Sequence, residues 1–599
     1  MDGSDPDTTA TLLAGSPADR NEEKRGSEAL WEALVAEGVE VVFGYPGGCI
    51  MPAYDVMPRY PIRHVLCRHE QGASHMADGY ARVSGKVGVA IATSGPGATN
   101  LVTGIATAML DSIPIVCITG QVPSHLIGSD AFQETDITGV TIPVCKHNYL
   151  VTRAEDVEAT VREAFALARS GRPGPVLVDI TKDALTSIAA PRAQAPSRAE
   201  RKSPRAKRGL APAKPLSEHD LDRAAALIAS AERPVILAGH GIVRSGSGEL
   251  VRELVERADI PVGLTLLGLG GFPATHPRAM GMMGMHGEAW VNQAIQEADL
   301  LIALGMRFDD RVTGNLANYA KNAKKIHVEI DPAEVDKNVR ADVALIGDLK
   351  DVLARLLPRV AARKHEAWNA RIDGMRADVA TIDIVNAVDD GRLYAAHVMH
   401  DLYRLTEGEA VVVTDVGQHQ MWEAQYYKHD HPRGLVTSGG LGTMGFALPA
   451  GIGASLAAGE REVWVIAGDG GFQMTAAELS TCVQHGIKVN VAIINNGYLG
   501  MVRQWQELFY GGRYVATPIV SPDFVKLADA HGLPGMLVTR RDEIPAAVAA
   551  ARATKSTFVV ELRVEPEDAV YPMVPAGADL DQMIRRPARC GEAKDGGAK

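Results

Sequence analysis

The chain is 599 residues long, 46% hydrophobic, with a formal net charge of −12. That length calls for three or four domains, and the apolar content is enough for sizeable cores. The acidic balance argues against nucleic acid or an anionic membrane surface as a partner. No apolar run is long enough to span a bilayer, and the six cysteines, without a CxxC pair, read as reduced core residues of a cytoplasmic protein.

Residues 1–26 have neither the basic start nor the apolar core of a targeting signal and read as a disordered tail. The first domain spans 27–190. It opens with a helix over Glu28–Glu37, a strand over Val39–Phe43 and the loop Gly44–Gly48. A strand over Val65–Arg68 then runs into His69-Glu70-Gln71-Gly72-Ala73 and a helix reaching Arg82. Strands over Val87–Thr93 and Ile115–Thr119 flank the loop Ser94–Gly97. Alternating strands and helices predict a parallel, doubly wound sheet. The stretch 191–215 is basic but has no aromatics or apolar periodicity, so it reads as a solvated linker rather than a nucleic-acid arm.

A second α/β domain, 216–360, has strands over Val235–Ala238, Leu300–Leu304 and Ile326–Ile330. Its loops carry Gly239-His240-Gly241, Gly284–Gly287 and Gly305–Arg311. Residues 361–384 read as a helical connector, 385–575 as a third α/β domain and 576–599 as a loose tail. The fold class is therefore α/β, with three doubly wound parallel-sheet domains. The first and third share a βαβ pattern with glycine-rich loops at strand ends.

The third domain carries the most informative stretch. An apolar strand, Val463–Ala467, ends on Gly468-Asp469-Gly470-Gly471. A helix is expected over Thr475–His485, then a strand over Val489–Ile494 ending on Asn495-Asn496. Asp469 and Asn496 thus stand at the carboxyl ends of two parallel strands, where open α/β sheets bind ligands. The glycines allow close backbone approach to a phosphate. A carboxylate plus an asparagine carbonyl is an all-oxygen half-site for Mg²⁺. Either half alone would be a turn; together they point to a magnesium–diphosphate anchor.

Other signals are weaker alone. Gly440–Gly445 matches GxGxxG, but Gly434–Ser438 is a poor strand, so a nicotinamide site is not expected. Glu70 by itself is a glutamate favourable to a helix N-terminus. HEQGA fails the HExxH zinc pattern at Ala73. Arg307, Asp309, Arg311 and His286 read either as surface ion pairs or as part of a second, nucleotide-like site.

The GDGG…NN pair resembles the thiamine-diphosphate motif. With RHEQGASHMADGYAR, SGPGATN, GQVPSHLIGSDAFQE, GMHG, RFDDRVTG, TDVGQHQMW, GLGTMGFALPAG and INNGYLGMVRQWQ, residues 27–585 resemble the catalytic subunits of the acetohydroxyacid synthase family. The resemblance implies three domains of the thiamine-diphosphate decarboxylase/carboligase type. It implies condensation of pyruvate with a second pyruvate or with 2-oxobutanoate, which opens valine, leucine and isoleucine synthesis. The implied cofactors are thiamine diphosphate, Mg²⁺ and a FAD that performs no net redox chemistry. A homodimer or homotetramer is implied, with each cofactor between the first domain of one subunit and the third of another, and a small regulatory subunit is a possible partner.

Residue by residue, the resemblance gives Glu70 the activation of the cofactor pyrimidine and groups it with Gln133, Lys182 and Trp505 as the catalytic set. Trp505 matches a residue associated with 2-oxobutanoate preference. Gly47 borders the site, and Thr93 and Asn100 lie on its pyrimidine side. Gln418, His419, Gly442, Met444, Gly468, Gly470, Gly471 and Met501 would cradle thiamine diphosphate, with Met444 as an apolar prop. Asp469, Asn496 and the carbonyl of Tyr498 would ligate Mg²⁺. Arg172, Gly239, Gly241, His286, Gly305, Arg307, Asp309, Arg311 and Asp348 would hold FAD. The alternative is another FAD- and thiamine-diphosphate-dependent pyruvate enzyme, such as a pyruvate oxidase.

Overall fold

The computed structural model describes residues 24–189, 216–380, 383–386 and 390–587. Most of the expected N-terminal tail, the linker 191–215 and residues 588–599 lie outside the described residues. Three six-stranded sheets form from apolar runs buried on both faces, as parallel sheets require. The first contains β1 Val41–Gly44, β2 Arg63–Leu66, β3 Gly88–Ala92, β4 Ile115–Gln121, β5 His147–Val151 and β6 Val176–Thr181. The second contains β7 Pro234–Ala238, β8 Val262–Leu264, β9 Ala279–Met282, β10 Leu300–Leu304, β11 Lys324–Glu329 and β12 Val343–Ile346. The third contains β13 Val411–Thr414, β14 Leu435–Thr437, β15 Val463–Gly468, β16 Asn490–Asn495, β17 Gly535–Val538 and β18 Phe558–Arg563.

The strand orders are β2-β1-β3-β4-β6-β5, β12-β11-β10-β7-β8-β9 and β14-β13-β15-β16-β18-β17. The first and third sheets therefore carry the same permutation, strand for strand. Every strand pair is parallel, as the alternating pattern predicts. No helix among the described residues is long and apolar enough to cross a membrane.

Two local expectations are corrected. The helix after Gly468 begins at Asp469, not Thr475, and a 3₁₀ turn, Ala476–Glu478, separates it from the helix Leu479–His485. This break lets both Phe472 and Leu479 reach the core while Val483 stays exposed. Leu435–Thr437 is a genuine strand, pairing in parallel with Val412–Thr414 at the sheet edge. Three residues at an edge, only one of them a buried large apolar, leave little sequence signal.

The first and third domains are fused by one core. Phe43, Met76, Ala77 and Ile105 share a buried cluster with Phe446, Val465 and Leu479. The axis of that cluster is a pair of helices, Glu70–Ser84 and Ala447–Ser455. Gly79 lies directly on the carbonyl of Ala450, and Gly453 on the carbonyl of Met76, so a Cβ at either position would overlap backbone. Glu478 adds a polar lock: its carboxylate accepts the amide N–H groups of Arg68 at 3.1 Å and His69 at 3.2 Å and the hydroxyl of Thr481 at 2.6 Å.

Overpacking a rigid backbone contact costs about 1–3 kcal/mol. Gly79→Ala is therefore expected to lower the thermal unfolding midpoint by about 5 °C. Ser84→Ala, at the half-buried end of the same helix, gives up a hydroxyl bonded to the Tyr80 carbonyl but creates no overlap, and is expected to shift it less. Equal midpoints for wild type and Gly79→Ala in differential scanning calorimetry would refute the close-approach account.

Candidate active site

The carboxyl end of the first sheet gathers one cluster. Glu70 opens the helix that follows β2, and its Oε2 accepts the Asn100 side-chain N–H at 2.9 Å. Thr93, just past β3, accepts the amide of Cys49 on its hydroxyl at 3.2 Å. Gly47 packs on the Thr93 side chain, and a Cβ at Gly97 would stand 3.3 Å from Glu70 Oε1. Gln133 has a left-handed backbone, φ 60°, and packs against Gly95. Glu70, Thr93, Asn100, Gln133 and Gly47 are thus gathered at one end of one sheet. Lys182 opens a short helix directly after β6, two strands away from β3.

A second cluster lies at the carboxyl ends of β13, β15 and β16. The register pairs Gly468 with Ile494, which sets Asp469 beside the Asn495-Asn496 turn. Asp469 is 1% exposed, and its Oδ2 accepts the Ser521 hydroxyl at 2.9 Å. Burial nevertheless pushes its carboxyl up to about 6. Asn496 Oδ1 accepts the Tyr498 amide at 3.1 Å, and its side-chain N–H donates to Gln418 Oε1 at 3.2 Å. A buried carboxylate, a carboxamide oxygen and a nearby backbone carbonyl are the hard oxygen donors that suit Mg²⁺.

Gln418 is itself buried, donating to Gln504 Oε1 at 2.9 Å and to the Asp568 carbonyl at 3.2 Å. It orients Asn496. His419 is buried, its Nε2 accepting the Gly468 amide at 3.2 Å; burial drives it down to about 3, so it is neutral. Gly468 and Gly417 both lie against that ring. A Cβ at Gly470 would meet Leu499 at 2.9 Å and the Met444 terminal methyl at 3.8 Å.

The GLGTMG segment does lie between a strand, β14, and a helix, Ala447–Ser455. A strand thus does precede the loop, contrary to expectation, but another feature disfavours a dinucleotide there. Asp415 lies behind the loop, fully buried, and its carboxylate accepts the amides of Val416 at 2.8 Å, Gly445 at 2.9 Å and Ala447 at 3.2 Å. The amides that would greet a phosphate are already used. Gly471 has no side chain because a Cβ would stand 2.8 Å from Asp415 Oδ1. Burial pushes Asp415 up to about 6 in spite of these bonds.

A cavity of about 1420 Å³ is walled by all three domains. Arg172, Gly241, His286, Gly305, Arg307, Asp309, Arg311 and Asp348 line it, together with Gly442, Met444, Met501 and Trp505. The Trp505 and Phe509 rings meet edge to face at 5.4 Å. Glu70, Thr93, Asn100, Gln133 and Lys182 are not among its walls. Gly239 is behind it: Gly239, Gly241 and Gly305 interlock backbone on backbone, joining the loops after β7 and β10. Arg172 Nη1 reaches Glu334 at 2.8 Å, tying the first domain to the second. Burial pushes His286 down to about 4, and its Nδ1 is buried without a partner. Asp348 caps the helix Leu349–Leu356 by accepting the Lys350 amide at 2.9 Å.

Sequence reasoning overlooked Glu329, Asp415 and Ser521. Glu329 ends β11 at the cavity wall, accepts the Ile330 and Asp331 amides at 2.9 and 3.1 Å, and is raised to about 7 by burial. An acidic residue ending a strand of a doubly wound sheet is the ribose-binding signal, legible in KKIHVE. Asp415 is equally visible in TDVG, but only its contacts reveal its work. Ser521 lies far along the chain from Asp469, in a segment without pattern.

The chain matches three domains of known type. These are the N-terminal thiamine pyrophosphate binding domain over residues 24–140, the central domain of thiamine pyrophosphate enzymes over 221–356, and their C-terminal thiamine pyrophosphate binding domain over 415–562. It is 47% identical to an acetolactate synthase of Mycobacterium bovis, with 93% of this chain and 91% of the relative covered. It is 44% identical to a probable acetolactate synthase large subunit of Methanocaldococcus jannaschii, covering 94% and 95%. It is 42% identical to the acetolactate synthase isozyme 3 large subunit of Escherichia coli, covering 93% and 98%.

Asp415→Asn sets an N–H group against backbone amides that themselves donate. Losing a charge-assisted acceptor costs about 1.5–3 kcal/mol. Amide hydrogen exchange across residues 439–447 is expected to speed up about 10- to 100-fold in this variant. Unchanged exchange there would show that Asp415 does not hold the loop.

Proposed function

The chain belongs to the acetolactate synthase large-subunit family of thiamine pyrophosphate enzymes, and from that membership we propose its reaction in detail. It decarboxylates pyruvate and joins the remaining two-carbon unit to a second 2-oxoacid. Pyruvate as acceptor gives 2-acetolactate and 2-oxobutanoate gives 2-aceto-2-hydroxybutyrate. The observation that carries this reading is the presence of Glu70 in one half-site and of Asp469 and Asn496 in the other, at the carboxyl ends of two sheets with the same strand permutation. A pyruvate oxidase is not favoured, since the relatives are named acetolactate synthase.

When bound, thiamine diphosphate supplies the carbanion and the electron sink for loss of carbon dioxide. Asp469, Asn496 and the Tyr498 carbonyl would hold Mg²⁺, which would neutralise the charge of the diphosphate. The glycines 468, 470 and 471 let the phosphates approach backbone, and Met444 props the cofactor from the GLGTMG loop. Glu70 moves the proton at the pyrimidine nitrogen, with Asn100 fixing its carboxylate. Trp505, on the cavity wall, selects the acceptor, and Gln133 and Lys182 complete the substrate side.

FAD occupies the large cavity in this reading. Support comes from a volume suited to a dinucleotide, the arginines 172, 307 and 311, the unpartnered His286 nitrogen and the strand-end Glu329. A homodimer is the minimal active unit. Phe132 is 88% exposed beside Gln133, Met474 60% exposed on the helix Asp469–Thr475, and Val520 96% exposed beside Ser521. Apolar side chains bared next to both half-sites suit a second copy. The large-subunit names of the relatives support a small regulatory partner. We take the domain limits as 27–190, 216–360 and 385–575, in a cytoplasmic enzyme.

With pyruvate, Mg²⁺, thiamine diphosphate and FAD, the purified protein is expected to yield acetolactate, read as acetoin after acid treatment. Acetaldehyde, or acetyl phosphate with peroxide, would overturn the assignment. Glu70→Gln is expected to keep flavin fluorescence quenching and lose about 10²- to 10⁴-fold in kcat. Asp469→Ala is expected to abolish Mg²⁺-dependent thiamine-diphosphate binding in titration calorimetry; unaltered affinity would remove the anchor role.

A further inference from the structure

The loop that follows β4, residues 122–136, brings Gln133 to the carboxyl end of the first sheet. Between Val122 and Ile137 the chain buries no apolar side chain, and Leu126, Ile127 and Phe132 are exposed. Hydrogen bonds rather than apolar packing within the chain therefore set the shape of this loop. Asp130 and Gln133 both take the left-handed backbone, φ 57° and 60°, which residues with a side chain hold only where their surroundings impose it. Gln133 also lies against the glycine loop beside Glu70. A Cβ at Gly95 would stand 2.9 Å from the Gln133 Cβ, and one at Gly97 would stand 3.3 Å from Glu70 Oε1.

Three carboxylates impose the shape. Glu134 closes the loop on itself, accepting the amides of Gly128 and, at 3.0 Å, Ala131. Asp183, next to Lys182, accepts the amide of Ser124 at 2.9 Å and its hydroxyl. The third carboxylate acts at one remove. Asp179 is 1% exposed on β6, and it accepts the Thr119 hydroxyl at 2.7 Å and the Gln121 side-chain N–H at 2.9 Å. Burial pushes it up to about 7 despite both bonds, so the fold keeps a carboxyl where its charge is disfavoured.

Gln121 carries the link. It ends β4, is buried, and its amide meets two acceptors and one donor. Nε2 donates to Asp179 and, at 2.8 Å, to the Thr135 carbonyl, while Oε1 accepts the Val122 amide at 2.9 Å. Only one orientation of the amide satisfies all three. Asp179 thus fixes which end of the amide faces Thr135, two residues from Gln133. The same carbonyl accepts the Ile137 amide at 2.8 Å, which ties the loop to the next helix.

We propose that Gln121, its amide oriented by Asp179, is a positioning residue for Gln133 and through it for the 2-oxoacid substrate. This rests on the reaction proposed above and on the place given there to Gln133. Gln121 acts through the loop and not on the substrate itself.

Gln121→Met in the full-length protein keeps the length of the side chain and removes the bridge. Amide hydrogen exchange across residues 122–136 is expected to speed up about 10-fold or more. The kcat/KM for pyruvate is expected to fall about 10- to 100-fold. Thiamine-diphosphate affinity is expected to stay within about twofold of wild type, because Asp469 and Asn496 are untouched. Asp179→Leu, which frees the amide to turn, is expected to share the loss. Asp179→Asn keeps an oxygen for Gln121 and turns its own N–H to the Thr119 hydroxyl, so kcat/KM is expected to stay within about threefold of wild type. In a Gln133→Ala background, Gln121→Met is expected to lower kcat/KM by less than about twofold further. A full additive loss in that background, or wild-type kinetics in Gln121→Met, would overturn the proposal. Exchange needs no substrate. Unchanged rates in Gln121→Met would overturn the clamp itself, whereas faster exchange in a protein that forms no acetolactate would overturn only the reaction.

Discussion

The structure depends on one close approach, the contact of the helices Glu70–Ser84 and Ala447–Ser455 through Gly79 and Gly453. Glycine here brings two backbones together at a distance no side chain permits. Everything polar at the junction follows from that separation. Arg82 lies 5.5 Å over the Phe446 ring, the Thr107 and Thr443 hydroxyls meet at 2.8 Å, and Asp111 reaches the amides of Gly439 and Gly440. The third domain's GLGTMG loop is thus held partly by the first domain. In return, Glu478 of the third domain fixes residues 68 and 69, immediately before Glu70.

Buried carboxylates are the recurrent device for shaping loops at strand ends. Asp415, Asp469 and Glu329 each accept backbone or hydroxyl donors, worth about 1.5–3 kcal/mol per charge-assisted bond. Desolvation outweighs these bonds, since Asp415 and Asp469 rise to about 6 from the ordinary 3.8. Between about pH 4 and 6 the folded protein binds more protons at these groups than the unfolded chain does, so stability falls as pH rises through that window. A cation near Asp469 reverses the balance there, because it favours the ionised form. The strain stored in that carboxylate is what a bound metal would relieve.

The sheets were legible in the sequence because parallel strands buried on both faces are continuous apolar runs. Nine of the eighteen strands are read, Leu300–Leu304 to the residue and the other eight to within two, while edge strands such as His147–Val151 and Gly535–Val538, with few buried residues, went unread. Asp469 and Asn496 were legible because their role depends on local spacing in one βαβ unit. What the sequence hid is set by distance along the chain. The edge strand Leu435–Thr437 earns its identity from pairing with β13, the early helix start at Asp469 from the burial of Phe472, and the role of Asp415 from loops 30 residues away. Gln418 reads as a cofactor residue in its motif, yet its amide is spent on Gln504, Asp568 and Asn496, which only the folded chain brings together.

The large cavity shows why docking, not any single domain, defines the site. Its walls take Gly85, Leu110 and Arg172 from the first domain, Gly241, Met285 and Arg307 from the second, and Gly442, Met444 and Trp505 from the third. No one sheet encloses it. Arg172 bonds across to Glu334, and Gln425 of the third domain donates to the His286 carbonyl at 2.9 Å. Protein interiors pass small displacements on because they are close-packed. Neither Gly79 nor Ala450 lines the cavity, yet their helix contact positions Arg82, which holds Asp111 on the Gly439 and Gly440 amides at the cavity wall. The glycines that look like turn residues in the sequence set the distance on which the site is built.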